Sequence, residues 1–281
     1  MKQITNALIA AFKEHLVDEE KAAATIAKYV RDTKVFMAWA DGRPLEKATV
    51  VEYKRQLIET YAPASVNAAL SSLNSFFEFC HWYELKVKAL KIQRRIFAAQ
   101  ERELTKTEYE RLLKAAASKK NKRLSLLMQT ICSTGIRVSE LKFITVEAVK
   151  KEEARIDCKG KMRIVILPKQ LCKLLKVYIK EQKVETGAVF ISKSGKPLNR
   201  SNIWGEMKRL CDLAGVPRDK VFPHNLRHLF ARTYYSLQKD IVRLADILGH
   251  SSVDTTRIYT MESGEVHRQQ IQKLGLVVMQ I

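Results

Sequence analysis

Apolar side chains recur three and four positions apart through the first part of this chain. The runs are Ile4, Leu8, Phe12 and Leu16, then Ile26, Val30 and Met37, then Val66, Leu70, Leu73 and Phe77. This period matches the turn of an α-helix, so each run places its apolar side chains on one face. Asp41-Gly42 and Ala62-Pro63 interrupt the pattern and are typical of turns. The sequence therefore predicts a bundle of about four amphipathic helices over residues 1–84.

A basic stretch follows this bundle over residues 85–102. The helical period fades there, and cations accumulate at Lys86, Lys88, Lys91, Arg94 and Arg95. Such a stretch is typical of an exposed linker between domains. It fits a segment that crosses DNA as well as it fits an ordinary solvated hinge, and both interpretations stay open.

The remaining residues, 103–281, predict a second domain of mixed composition. Thr105 and Glu108 have the spacing of a capping box at a helix start. Two short runs rich in β-formers, 154–158 and 163–167, flank Lys159-Gly160-Lys161-Met162 and predict a hairpin with a basic tip. A third such run covers 188–192, and helical patterns resume from residue 199 to about residue 256. The predicted fold class is mainly α with a small antiparallel β-sheet.

The charge balance restricts the partners that the chain can have. Its 281 residues include 50 Lys+Arg and 30 Asp+Glu, which gives a formal net charge of +20. Most of the basic excess lies after residue 100. A surface of this kind usually binds a polyanion, because cations that neutralise phosphates release condensed counterions. The charge therefore favours nucleic acid, although lysines that merely keep a protein soluble would look similar.

No part of the sequence predicts insertion into a membrane. The longest uncharged stretch, residues 60–77, contains four Ser, two Asn and one Pro, unlike a membrane span. The apolar run near the N-terminus stops at Lys13 and Glu14, so it does not predict a signal peptide. The five cysteines contain no C-x-x-C pair, and neither a disulfide framework nor a zinc site is predicted. We expect a cytoplasmic protein.

Four segments of the second domain carry residues suited to chemistry on a phosphate. They are Thr134–Leu141 with Arg137 and Glu140, the hairpin tip with Lys159, Pro223–His228 with His224 and Arg227, and Leu248–Ser252 with His250, followed by Tyr259. Each residue alone fits an ordinary structural role, and a tyrosine among Val253, Thr256 and Ile258 is usually a packing residue. His228 is predicted to pack.

In this order and spacing, the segments resemble the tyrosine recombinases of the phage-integrase and Xer class. The resemblance extends to Ser65–Phe77 in the helical domain and to Arg102–Thr105. It implies a catalytic set of one tyrosine and five cationic or imidazole groups: Arg137, Lys159, His224, Arg227, His250 and Tyr259. Glu140 matches the acidic partner of the first arginine.

The chemistry of phosphodiester cleavage gives each of these side chains a role. Two guanidinium groups, Arg137 and Arg227, can bind the non-bridging oxygens and stabilise the charge of the transition state. Lys159 is the candidate general acid for the leaving oxygen, with Lys161 as the alternative. His224 can accept the tyrosine proton, and His250 can bind a phosphate oxygen. This mechanism needs no metal ion or other cofactor, and no ATP.

The resemblance also implies how the protein assembles on double-stranded DNA. The bundle, SAM-like in this family, and the catalytic domain would form a C-shaped clamp around a core site, and four protomers would exchange strands through a four-way junction. An apolar tail at 274–279 is expected to dock on a neighbouring protomer, and packing on its own domain is the alternative. Phosphate contacts are predicted, less specifically, at Arg31, Lys34, Lys91, Arg94 and Lys161.

Two other functions fit the same residues. A type IB topoisomerase would use similar chemistry to relax supercoiled DNA without pairing two sites. A DNA-binding regulator could have the same fold without cutting DNA, although the complete set of six residues argues against this.

Overall fold

A computed structural model describes residues 2–92, 102–158, 161–192, 195–260, 268–269 and 271–274. The chain divides into two compact units, residues 1–94 and 95–281. Among the described helices, none is both long enough and apolar enough to cross a membrane.

The first unit is a bundle of helices, as the apolar spacing predicts. Its helices are α1 (Asn6–Asp18), α2 (Ala23–Trp39), α3 (Lys47–Thr60) and α4 (Pro63–Phe79), followed by a 3-10 turn at Tyr83–Leu85. Thr5 caps α1 by accepting a hydrogen bond from the backbone N–H of Leu8. Phe12, Phe36 and Phe76 are fully buried where the helices meet. Burial of these aromatic faces supplies much of the unit's hydrophobic stabilisation.

The beginning of the predicted linker packs on this bundle instead of being exposed. Leu85 and Val87 are buried in its core. The Asn74 amide donates to the carbonyl of Val87 at 2.8 Å and accepts from its N–H at 2.9 Å, so it pairs both backbone groups. Asn67 does the same for Leu90. The prediction of an exposed stretch was therefore wrong for Leu85 and Val87, whereas Lys88 and Ala89 are exposed. The domain boundaries themselves stay a prediction.

The second unit is mainly helical and contains a two-stranded sheet. Its elements are α5 (Lys106–Ser118), α6 (Lys122–Thr134), α7 (Val146–Lys151), β1 (Glu153–Cys158), β2 (Lys161–Ile166), α8 (Lys169–Glu181), α9 (Arg200–Lys208), α10 (Cys211–Ala214), α11 (Pro223–Gln238), α12 (Ile241–Leu248) and α13 (Val253–Thr256), with 3-10 turns at Val138–Phe143, Arg218–Lys220 and Arg257–Tyr259. Helix α6 packs against α8 and α11. This places the C-terminal end of α6 beside α11, where the candidate site lies.

Two local predictions for this unit have different outcomes. The capping box of α5 is confirmed, because Glu108 N–H donates to Thr105 Oγ1 at 3.1 Å and Thr105 N–H donates to Glu108 at 2.8 Å. Strands β1 and β2 pair antiparallel, from Glu153 with Ile166 to Cys158 with Lys161. The run 188–192 is not a strand of this sheet. It forms only isolated bridges, and its Val189 and Phe190 are buried in the helical core.

Candidate active site

The turn that follows α6 depends on a glycine. Gly135 ends the helix with φ 65°, a left-handed conformation that favours glycine. A Cβ at this position would lie 2.5 Å from the Phe230 ring and 2.9 Å from Leu248. The missing side chain therefore lets the turn approach α11 and α12 closely. Arg137 follows immediately, at the start of the next 3-10 turn.

A buried carboxylate orients Arg137. Glu140 is only 2 % exposed, and it accepts bonds from the Arg137 backbone N–H at 2.9 Å and from Arg137 Nη1 at 3.0 Å. Burial alone would raise the pKa of Glu140, but the Arg137 N–H and the Arg163 charge outweigh it and lower the pKa. Glu140 thus stays ionised, and the Arg137 guanidinium is held partly exposed at the surface of the site.

Arg227, on α11, is the most deeply buried cation of the site at 1 % exposure. Its guanidinium donates to the carbonyls of Gly135 and Leu248 and to His250 Nε2, the last at 2.9 Å. Burial and the nearby Arg137 charge lower the pKa of Arg227 to about 10, whereas interaction with the Tyr259 side chain acts to raise it. Arg227 therefore remains a cation at neutral pH, and Tyr259 lies within reach of its charge.

His250 is held at both ring nitrogens. Nε2 accepts from Arg227, so the neutral ring carries its proton on Nδ1, which lies 2.8 Å from Thr256 Oγ1. Thr256 is fully buried and fixes this orientation. Burial, followed by the charges of Arg227 and Arg137, lowers the pKa of His250 to about 4. At neutral pH, His250 is thus a neutral hydrogen-bond acceptor.

Tyr259 lies inside the site of its own chain. It ends the last 3-10 turn, is 3 % exposed, and packs with Leu244 and Leu248. Its ring stacks on His250 with centroids 6.0 Å apart and meets the edge of His228 at 4.7 Å. These contacts hold the phenol beside the imidazole and guanidinium groups.

The two histidines of α11 stand one helical turn apart. His224 is exposed, and its pKa is lowered by partial desolvation and by the charge of Arg227. His228 packs between the rings of His224 and Tyr259, 4.6 Å and 4.7 Å away, in agreement with its predicted packing role. It is therefore a structural neighbour of both the candidate base and the candidate nucleophile.

A cavity of about 440 Å³ opens beside these groups. Arg137, His224 and Arg227 contribute to one part of its wall, and Arg200 and Trp204 of α9 contribute to another. Arg200 and Trp204 are not among the residues predicted from the sequence. Their i, i+4 spacing on a predicted helix is a signal that they share a face, but it does not show which cavity that face lines. The cavity is cationic and large enough for a phosphate group.

The structure does not place every predicted site residue. Lys159 lies outside the described residues, as does Arg94, whereas Lys161 opens β2 opposite Cys158. Arg31, Lys34 and Lys91 are exposed. The roles of all these residues remain predictions.

Acidification is expected to destabilise the free protein, in part through His228. Burial, then the charges of His224 and Arg227, lower the pKa of His228 from 6.5 to about 4. The unfolded chain therefore takes up a proton at a higher pH than the folded chain. The free energy of unfolding falls as the pH drops through this window, by on the order of 3 kcal/mol at most.

Urea denaturation of the second unit between about pH 7 and about pH 4.5 measures this effect. His228→Gln should give a shallower loss of stability than the wild type, while His81→Gln, at an exposed position of the first unit, should not. Equal pH dependence of the wild type and His228→Gln would contradict the assignment.

Comparison with known proteins identifies the family. Residues 102–265 match the model of the phage integrase family, and residues 9–84 match the phage integrase N-terminal SAM-like domain. The chain belongs to the phage integrase family and is a tyrosine recombinase.

Named relatives span almost the whole chain. Tyrosine recombinase XerD of Xanthomonas campestris pv. campestris is 30% identical over 95% of this chain and 90% of its own length. Tyrosine recombinase XerA of Thermococcus kodakarensis is 28% identical over 97% of this chain and 96% of its own length. The solved lambda integrase dimer bound to a COC′ core site is similar in fold. Its TM-score is 0.74 at 17% identity, covering 92% of this chain and 96% of that one.

Proposed function

We propose that this recombinase cuts and rejoins double-stranded DNA at a specific site through a covalent 3′-phosphotyrosine. One observation carries the proposal: Tyr259 lies beside Arg227 and His250 of the same chain, next to a cavity lined by Arg137, His224 and Arg227. In the proposed reaction, Tyr259 and the two guanidinium groups act on one phosphate.

Cleavage transfers the phosphoryl group from a deoxyribose oxygen to Tyr259. The phenolic oxygen attacks phosphorus, the bond from phosphorus to the 5′ oxygen breaks, and His224 takes the phenolic proton. Lys159 supplies a proton to the departing 5′ oxygen. The new phosphodiester to tyrosine keeps the energy of the broken bond. A 5′ hydroxyl can therefore reverse the reaction and join a strand without ATP.

The two arginines bind the non-bridging oxygens, and the fold prepares both of them for this. Glu140 fixes Arg137, and the carbonyls of Gly135 and Leu248 fix Arg227. One cation about 4 Å from the developing charge contributes roughly 4 kcal/mol in a medium of intermediate dielectric. Because these groups are oriented before DNA binds, little reorganisation opposes the reaction.

His250 changes its role when phosphate enters. Its low pKa arises from burial and from the surrounding arginines, whose charge a bound phosphate neutralises. Arg227 then directs its N–H groups to phosphate, and His250 can take up a proton and donate to the same oxygens. Thr256 keeps the ring in place throughout, through the 2.8 Å contact at Nδ1.

Recombination further requires a homotetramer on two DNA duplexes, joined through a four-way junction. The net charge of +20 supports DNA as the partner. A solved lambda integrase tetramer bound to a Holliday junction, similar in fold with a TM-score of 0.72, supports this assembly. The tail that we propose as the protomer contact, residues 274–279, lies largely outside the described residues. We further propose that the protein works at the nucleoid in the cytoplasm.

The test is attachment of the protein to a DNA core site with a nick next to the scissile phosphate. Cleavage frees the short fragment between the scissile phosphate and the nick, and its loss prevents rejoining. The wild type should therefore accumulate an adduct that survives denaturant. The released fragment should carry a free 5′ hydroxyl. Relaxation of supercoiled DNA that lacks the site would indicate a topoisomerase instead, and binding without any adduct would indicate a regulator.

A further inference from the structure

The side chain of Arg163 is held between two segments of the site. Arg163 lies on β2, where its side chain is 14% exposed. Its Nη2 donates to Glu140 Oε2 at 2.5 Å, and its Nη1 donates to the carbonyl of Ile247 at 2.5 Å. The two ends of one guanidinium therefore join the strand to the Arg137 turn and to the end of α12.

Arg163 is linked to Arg137 through Glu140, which accepts hydrogen bonds from both. Oε2 of Glu140 accepts from both Arg163 and the backbone N–H of Arg137, and Oε1 accepts from Arg137 Nη1. One buried carboxylate thus serves two arginines. Without Arg163, Oε2 of Glu140 loses a charged donor, and the carboxylate is held by Arg137 alone.

The bond from Arg163 to the Ile247 carbonyl lies three residues before His250 in the chain. Ile247 lies in the last turn of α12, where unpaired carbonyls favour a cation. Gly249, with φ 64°, follows, and a Cβ there would lie 2.6 Å from Arg163 Cδ and 2.8 Å from its Nε. The glycine leaves the space that Arg163 fills, directly before His250. The carbonyl of Gly249 also faces Arg137 Nη2 at 3.4 Å.

We propose that Arg163 is a positioning residue for the phosphate-binding groups, which holds Arg137 through Glu140 and the His250 loop through the Ile247 carbonyl. The inference rests on the proposed function, in which those groups bind the scissile phosphate. Unlike Arg137 and Arg227, Arg163 does not line the described cavity. Its effect on the reaction is therefore indirect. Lysine cannot replace it fully, because a single ammonium does not reproduce the fork that spans two acceptors.

The test compares Arg163→Met and Arg163→Lys with the wild type in single-turnover adduct formation at saturating nicked DNA. Arg163→Met should slow adduct formation on the order of 10- to 100-fold, as displacement of a reacting group does. Arg163→Lys should fall between Arg163→Met and the wild type. DNA binding should stay within about threefold, because Arg163 does not touch the phosphate. Arg155→Met is the matched control, since Arg155 lies on β1 of the same hairpin with a 72% exposed side chain.

A second substrate separates positioning from general damage to the fold. It carries an uncharged methylphosphonate at the scissile position, so that the reaction depends less on the guanidinium groups. The defect of both Arg163 variants should shrink to a few-fold on this substrate. Wild-type rates for both variants on the phosphate substrate, or an equal defect on both substrates, would overturn the proposal.

Circular dichroism at the assay temperature shows which variants are folded. If Arg163→Met is unfolded, the comparison of rates between Arg163→Lys and the wild type tests the proposal. A wild type that forms no adduct at all contradicts the proposed function itself. That result is distinct from a normal wild type with unaffected Arg163 variants, which contradicts only the positioning role.

Discussion

Tyr259→Phe is expected to abolish the covalent adduct with nicked DNA while leaving DNA binding nearly unchanged. The substitution removes one oxygen and keeps the ring that packs on His228 and His250. Because Tyr259 is 3 % exposed and buried among apolar neighbours, phenylalanine fits the same space. Denaturing gels measure the adduct, and a native gel shift with the same DNA measures binding.

Two neighbouring tyrosines provide matched controls. Tyr234 and Tyr235 pack against the same small cluster as Tyr259. Their phenylalanine variants should form the adduct at close to the wild-type rate. An adduct that persists in Tyr259→Phe and disappears in one of these two variants would move the nucleophile to that residue.

Arg227→Met is expected to slow adduct formation about 10³-fold and to destabilise the protein. The rate falls because the variant lacks a cation contributing roughly 4 kcal/mol to the transition state. Stability falls because the carbonyls of Gly135 and Leu248 lose their donor in a buried place, at a cost of about 1–3 kcal/mol each. Single-turnover kinetics and urea denaturation measure the two effects.

Arg232→Met is the control that separates the effect on the reaction rate from the effect on stability. Arg232 lies on the same helix and donates to Glu103 and to the carbonyl of Leu104, away from the cavity lining. Its loss should lower stability and leave the single-turnover rate of the folded protein within a few-fold. A rate within tenfold of wild type for folded Arg227→Met would contradict the assignment of Arg227 as a phosphate ligand.

Local sequence pattern was sufficient to predict the helices and the hairpin, because each forms its backbone hydrogen bonds within a short stretch of the chain. The helices of the first unit follow from apolar spacing. The hairpin follows from two β-rich runs, although its second strand begins at Lys161, inside the predicted tip. The prediction of a strand at 188–192 was wrong because β-propensity does not show whether a partner strand is present. The packing of Val87 and Leu90 on the bundle was not predicted, because the amides of Asn74 and Asn67 that pair their backbone lie at distant positions of the sequence.

The candidate site was predictable only as a set of residue types. The resemblance to tyrosine recombinases implied Arg137, His224, Arg227, His250 and Tyr259, and the structure brings these five together. The sequence did not indicate that Arg163 and Arg137 both bind Glu140, because β2 and the turn after α6 meet only in the folded chain. One weak signal existed: Arg163 has the same strand parity as the buried Val165, and a cation at an inward position needs a partner.

The most direct test is to locate the DNA on the protein. The wild-type adduct is digested with nuclease and trypsin, and mass spectrometry identifies the peptide that carries the remaining nucleotide. Cleavage after Arg257 and Arg268 places Tyr259 in the peptide 258–268, whereas Tyr234 and Tyr235 lie in 233–239. The nucleotide is expected on Tyr259 in the first peptide. A nucleotide on the second peptide would show that another phenol attacks the phosphate.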